Sequence, residues 1–182
     1  MSIGTVIKEA RERYGVSQED MKGIIHYSRE TLSKIETGQR RLPEDTLPRL
    51  ARWSPMVALE IAAEHTGGTL PLIRLDGDID RHPVAMTQKA IEEGGEFLDS
   101  ARELRLINKT SRDKLTTEDR EKFMAARLEA WEDVICKLEW LTETAEVYGF
   151  DMAEEHRQVV GKLEAAGYKK PEKKKTASKA AR

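Results

Sequence analysis

The chain has 182 residues, of which 35% are charged and 38% hydrophobic, with a formal net charge of −2; that is enough for one ordinary domain or two small ones. No apolar run approaches the roughly 20 residues a membrane helix needs, and the opening MSIGTVIKEA lacks a signal peptide's apolar stretch, so a cytoplasmic protein is expected. A single cysteine, Cys136, excludes an intrachain disulfide and lies among Val134, Ile135 and Leu138, the setting of a buried, inert thiol.

The elements begin with an amphipathic helix carrying Ile3, Val6, Ile7 and Ala10. Val16, Met21, Ile24 and Ile25 give a second helix one apolar face, and Leu32 and Ile35 do the same for a third. Ser17 and Ser28 are placed as N-caps, with Glu19, Asp20 and Glu30 favourable in the positive first turns, and Gly38 stops the third helix. Only about three residues separate the second and third helices, a helix-turn-helix spacing rather than that of an antiparallel hairpin. Leu47, Leu50 and Ala51 mark a fourth helix, with Pro48 in its first turn and Asp45 near the N-cap. Met56, Leu59, Ile61 and Ala63 mark a fifth that ends before Gly67-Gly68. With Leu32 and Ile35 inward, Arg29, Glu30, Ser33 and Lys34 point outward on the third helix, with Thr31 on its flank.

Gly15, Ser17-Gln18-Glu19, Ser28, Thr31, Ser33, Ile35-Glu36 and Gly38 stand at the spacing of the lambda-repressor-like, or XRE, helix-turn-helix family, which the chain resembles over residues 2–66. The resemblance implies an all-α domain of five helices whose third lies in the major groove of DNA. It implies that Arg29, Glu30, Ser33 and Lys34 read bases. Their chemistry suits a site with G·C pairs, because Arg and Lys donate to guanine and Glu accepts from cytosine N4. It also implies that Gln18, Ser28, Thr31, Gln39, Arg40 and Arg41 hold the phosphate backbone, and that Arg11 and Glu36 form a structural ion pair. Two positions depart from the family: Lys22 stands where a small residue is usual, and His26 where the turn usually has glycine. Lys22 can run its ammonium outward along its stem, and His tolerates the left-handed region better than most residues.

Residues 67–82 read as a linker, TGGTLPLIRLDGDIDRHP with its flanks, containing one short strand at Leu70–Leu75. DGDID fails as a calcium loop, since Arg81 and Thr87 stand where glycine and glutamate are required. From Pro83 the period is helical, with Met86, Ala90, Phe97, Ala101 and Leu104 on one face of a helix to about Ile107, interrupted at Gly94-Gly95. After the loop NKTSRDKLT, Thr116 or Thr117 caps a helix to Tyr148. Met124, Leu128, Trp131, Ile135, Leu138 and Ala145 form its apolar stripe, widened by Val134, Leu141 and Tyr148. Asp151 opens a last helix with His156, Val159, Val160, Leu163 and Ala166. The fold class is therefore all-α, an N-terminal five-helix domain plus a C-terminal antiparallel bundle, with a disordered basic tail at 169–182.

Charge is segregated. Lys and Arg against Asp and Glu number 10 and 8 over residues 1–53, 14 and 24 over 54–168, and 7 and 1 over 169–182. DNA attracts the first and last segments and repels the middle, so residues 83–168 are expected to dimerise the protein or bind a protein partner. The four histidines, His26, His65, His82 and His156, show no metal-ligand spacing, and no catalytic pairing or phosphate loop is visible. No metal, cofactor or enzymatic activity is expected. The function expected is a DNA-binding transcriptional regulator, a homodimeric repressor of phage or mobile-element type acting on double-stranded DNA. The alternative is an antirepressor or inhibitor of a host factor whose helix-turn-helix regulates its own gene.

Overall fold

The computed structural model describes residues 2–67, 69, 70, 72–104 and 111–170. All regular structure among them is helical: α1 (Ile3–Arg13), α2 (Lys22–Ile25), α3 (Arg29–Glu36), α4 (Leu47–Trp53), α5 (Pro55–Thr66), α6 (Pro83–Arg102), α7 (Thr117–Tyr148) and α8 (Met152–Ala165). Two compact units result, residues 1–150 and residues 151–182.

Local chemistry sets the helix ends. Ser2, Ser28 and Ser54 accept from the backbone N–H three residues on, at the starts of α1, α3 and α5, which satisfies donors the helix leaves open. Thr116 and Asp119 form a reciprocal capping box at the start of α7, and Gly149, left-handed at φ 74°, ends it. The segment expected as one helix from Ser17 is regular only over Lys22–Ile25. Before that, Lys22 and Gly23 bond three residues back to Glu19 and Asp20, a tighter winding. His26 closes α2 at φ 58° and ψ 28°, a left-handed turn made without glycine.

α1, α3, α4 and α5 enclose an apolar core of Val6, Ile7, Ala10, Met21, Ile25, Leu32, Ile35, Leu50, Met56 and Val57. Every one of these side chains is buried, and each large one removed from water contributes about 1.5–3 kcal/mol. α1 and the end of α3 meet at Gly4, where an added Cβ would come 2.1 Å from the Ile35 carbonyl oxygen. Only glycine allows that approach.

The connection from α5 to α6 has no strand among its described residues; Leu70 and Leu72, and Gly77 and Ile79, make tight local turns instead. Arg74 is what fixes it. Although it lies in a loop, Arg74 is buried and donates from both terminal nitrogens to the Glu9 carboxylate at 3.2 Å, where Arg81 adds a bond of 3.0 Å. Burial pushes the Glu9 carboxyl up, but Arg74 and Arg81 outweigh it and hold the group below its ordinary range.

α6 runs unbroken through Gly94-Gly95. It is antiparallel to α7, since Trp140 Nε1 donates to Thr87 Oγ1 at 2.9 Å while Gly94 lies beside Asp133 and Lys137. The face that α7 buries matches its apolar stripe only in part: Ala145 is buried and Trp131, Ile135 and Leu138 half-buried, but Asp133, Cys136, Glu139 and Glu143 are buried too, whereas Met124, Leu128, Val134, Leu141 and Tyr148 are exposed. Burial pushes the Cys136 thiol up, which suits an unreactive role.

The C-terminal end of α7 packs on the N-terminal helices. Arg13 Nη2 donates to Glu143 Oε2 at 2.7 Å, Tyr14 donates to Glu146, and Ser54 Oγ and the Met56 backbone N–H donate to Glu146 Oε1 at 2.8 and 3.0 Å. Glu146 thereby serves the positive start of α5. Residues 1–150 are consequently continuous across the α5–α6 connection.

In the second unit, Asp151 accepts from the N–H groups of Ala153 and Glu154 at the start of α8. Gly167, Tyr168 and Lys169 fold their N–H groups back on Glu164 and Leu163. The expected basic tail lies outside the described residues from 171 onward. No helix among the described residues is long and apolar enough to cross a membrane.

Candidate nucleic-acid interface

α3 is built to present one polar side. Leu32 and Ile35 are 1% and 2% exposed, so their spacing pins the helix against the core, while Arg29, Glu30 and Lys34 are exposed and Ser33 and Thr31 half-buried. Ser28 Oγ accepts from the Thr31 N–H at 3.3 Å, which fixes the register at which the polar residues emerge.

An open groove forms beside this helix. Gln18, Glu19 and Lys22 line it together with Ser28, Arg29, Glu30, Ser33, Lys34 and Gln39. All four residues expected to read bases therefore stand together with three of those expected on phosphate. Thr31 sits at the edge, within 3.5 Å of an Arg40 guanidinium nitrogen. Arg40 and Arg41 instead line a neighbouring depression with Ser2, Ile3, Gly4, Gly38, Glu64 and His65. The two arginines lie at the N-terminus of α1 rather than inside the main groove.

Behind the groove stands a buried carboxylate. Glu36, with a side chain 3% exposed, accepts from Arg11 Nε at 2.9 Å, from Arg11 Nη2 at 3.3 Å and from Gln18 Nε2 at 2.8 Å. Arg11 Nη1 also donates to the Val16 carbonyl at 3.0 Å. The hydrogen bonds that Arg11 donates to Glu36 raise its pKa further above the ordinary value, so the guanidinium is locked in its charged form. This cluster ties α1, the segment before α2 and the end of α3 into one block.

Lys22 is a groove residue that the sequence reading did not assign to DNA. It pairs with Glu19 three residues before it, and its side chain is about half exposed. The signal was present: a long cation where the family has a small residue must leave the helix contact, and leaving it means entering the groove.

Chemically, the groove offers guanidinium, ammonium, amide and hydroxyl donors along α3, with the Glu30 carboxylate as an acceptor. That set matches base edges and phosphate oxygens. Residues 2–53 match the family described as "Helix-turn-helix domain". No curated protein and no solved structure matches the chain. The match and the helices α1 to α4 agree that residues 2–53 hold a helix-turn-helix domain.

Proposed function

We propose that the protein is a sequence-specific transcriptional regulator that lays α3 in the major groove, with Arg29, Glu30, Ser33 and Lys34 toward base edges. Gln18, Ser28, Thr31, Gln39, Arg40 and Arg41 hold phosphates on either side. The observation that carries this reading is the two-sidedness of α3: its apolar pair is fully buried, and its other side is a donor-rich groove.

The protein acts as a dimer on a two-fold operator and represses by excluding polymerase. Supporting this is the apolar surface left on residues 83–150. Val84, Ile91 and Leu98 recur every seven residues on α6 and are 68%, 63% and 51% exposed; Val134, Leu141 and Tyr148 do the same on α7. Seven-residue spacing keeps such side chains on one side of a helix, the pattern of a helix that packs on another helix. One domain reads only about half a turn of duplex, so a second copy supplies the other half-site.

Selecting bound duplexes from a random pool tests the reading. The expected product is an inverted repeat with G·C pairs in each half, centred about 34–36 Å apart or a multiple of that distance. A pool that shows no enriched sequence overturns sequence-specific regulation.

A further inference from the structure

We propose that Lys22 is a further DNA contact, whose ammonium group takes a backbone phosphate and gives up Glu19 to do so. Its role rests on the proposed placement of α3 in the major groove. Lys22 begins α2, and the segment before it winds tightly, with the Lys22 N–H bonded to the Glu19 carbonyl at 3.1 Å. Such winding brings residues three apart into line, so the Glu19 carboxylate lies beside the Lys22 ammonium and pairs with it. Both side chains line the groove next to α3.

The charge of the groove points to this role. Among the described residues its lining holds three cations, Lys22, Arg29 and Lys34, and two carboxylates, Glu19 and Glu30. Without Lys22 the two signs cancel; with it the groove is net positive. A duplex rewards each cation that reaches a phosphate by releasing a counterion, and Lys22 is the side chain that tips the balance toward such contact.

The pairing with Glu19 is a resting state that DNA can replace. The two side chains are 49% and 59% exposed, and an exposed pair of this kind holds weakly. A phosphate oxygen therefore displaces Glu19, whose carboxylate stays in water. Position selects phosphate over a base edge, because the first helix of the motif crosses the DNA backbone while the second enters the groove. Lysine chemistry agrees: a compact charge on a flexible stem suits phosphate and lacks the fixed fork that reads a base. Gln18 lines the same groove and is assigned to phosphate, so Lys22 extends that contact.

The test follows the full chain on the selected duplex and on an unrelated one, by fluorescence anisotropy between about 50 and 200 mM salt. Lys22→Gln, which keeps most of the stem, should lower the slope of log K against log salt by about 0.9 on both duplexes and leave base preferences unchanged. Lys22→Arg should keep the slope. Combined with Glu19→Gln, Lys22→Gln should lower it by the same amount. Urea midpoints equal to that of the wild type exclude unfolding as the cause. An unchanged slope overturns the proposal. So does a loss confined to one base pair, which makes Lys22 a base reader. An effect that vanishes in the Glu19→Gln background overturns it too, since Lys22 then only screens Glu19. These three outcomes leave the regulator reading standing, whereas a wild-type chain that selects no duplex removes both.

Discussion

Gln18 Nε2 donates a hydrogen bond of 2.8 Å to Glu36 Oε2, so the carboxylate that anchors Arg11 also positions the amide at the edge of the groove. An amide nitrogen carries two hydrogens, and one remains for a phosphate. Gln18→Ala should therefore weaken binding to every duplex alike, by about 1–2 kcal/mol, with the fold intact. Fluorescence anisotropy on the selected site and on an unrelated duplex checks this. A loss confined to one base position would make Gln18 a base reader.

Glu36→Ala acts on stability instead. It strands the Arg11 guanidinium, whose side chain is only 13% exposed, and should cost about 3–5 kcal/mol, as should Arg11→Ala. Because the two residues share one interaction, the double variant should lose clearly less than the sum of the singles. Urea unfolding of the four proteins measures the coupling, and simple additivity would remove the pair from the scaffold.

Glu139 predicts a pH dependence. Burial at 1% exposure raises its carboxyl from the ordinary 4.5 to about 7, against the pull of Arg74 and Arg81. The folded protein thus keeps a proton that the unfolded chain has lost. Stability from this group is fully present below about pH 4.5, falls as pH rises toward 7, and levels off above. Glu139→Gln should remove that slope and stabilise the protein at pH 8 by on the order of 3 kcal/mol. Denaturant midpoints of both proteins from pH 4.5 to 8 test it; parallel curves would contradict the assignment.

Ile91→Glu probes the proposed dimer. Ile91 is 63% exposed and lies centrally in the apolar row of α6, so the substitution should leave helicity unchanged while sedimentation shifts from dimer to monomer. Monomeric variant protein should occupy single half-sites. A wild-type protein that sediments as a monomer at micromolar concentration contradicts this part of the reading.

Much of the fold is legible in the sequence where the reading rests on short-range chemistry. Ser28 capping, Gly149 closing α7 and Asp151 opening α8 each follow from one residue's preference for a helix end. The inside of α7 was not legible. Its apolar stripe satisfies the helical period, yet its buried side also carries Asp133, Glu139 and Glu143, two of them neutralised by Lys137 one turn on in α7 and by Arg13 of α1. Periodicity reports which side of a helix is apolar and not which partner covers it. The strand expected at Leu70–Leu75 failed for a similar reason: Arg74 is spent on Glu9, sixty-five residues away, and that bond sets the path of the backbone. In the groove, polar residues were found by subtracting Leu32 and Ile35 from α3, whereas Lys22 required knowing how α2 faces it.

The most direct test of DNA reading by α3 compares wild-type protein with Lys34→Ala on every single base-pair variant of the selected half-site. Lys34 is exposed on α3 and lines the groove, and the account predicts that the variant loses about 1–3 kcal/mol together with its discrimination at one position, leaving preferences elsewhere intact. A uniform loss at all positions would make Lys34 a phosphate contact, and unchanged binding and specificity would contradict the placement of α3 in the major groove.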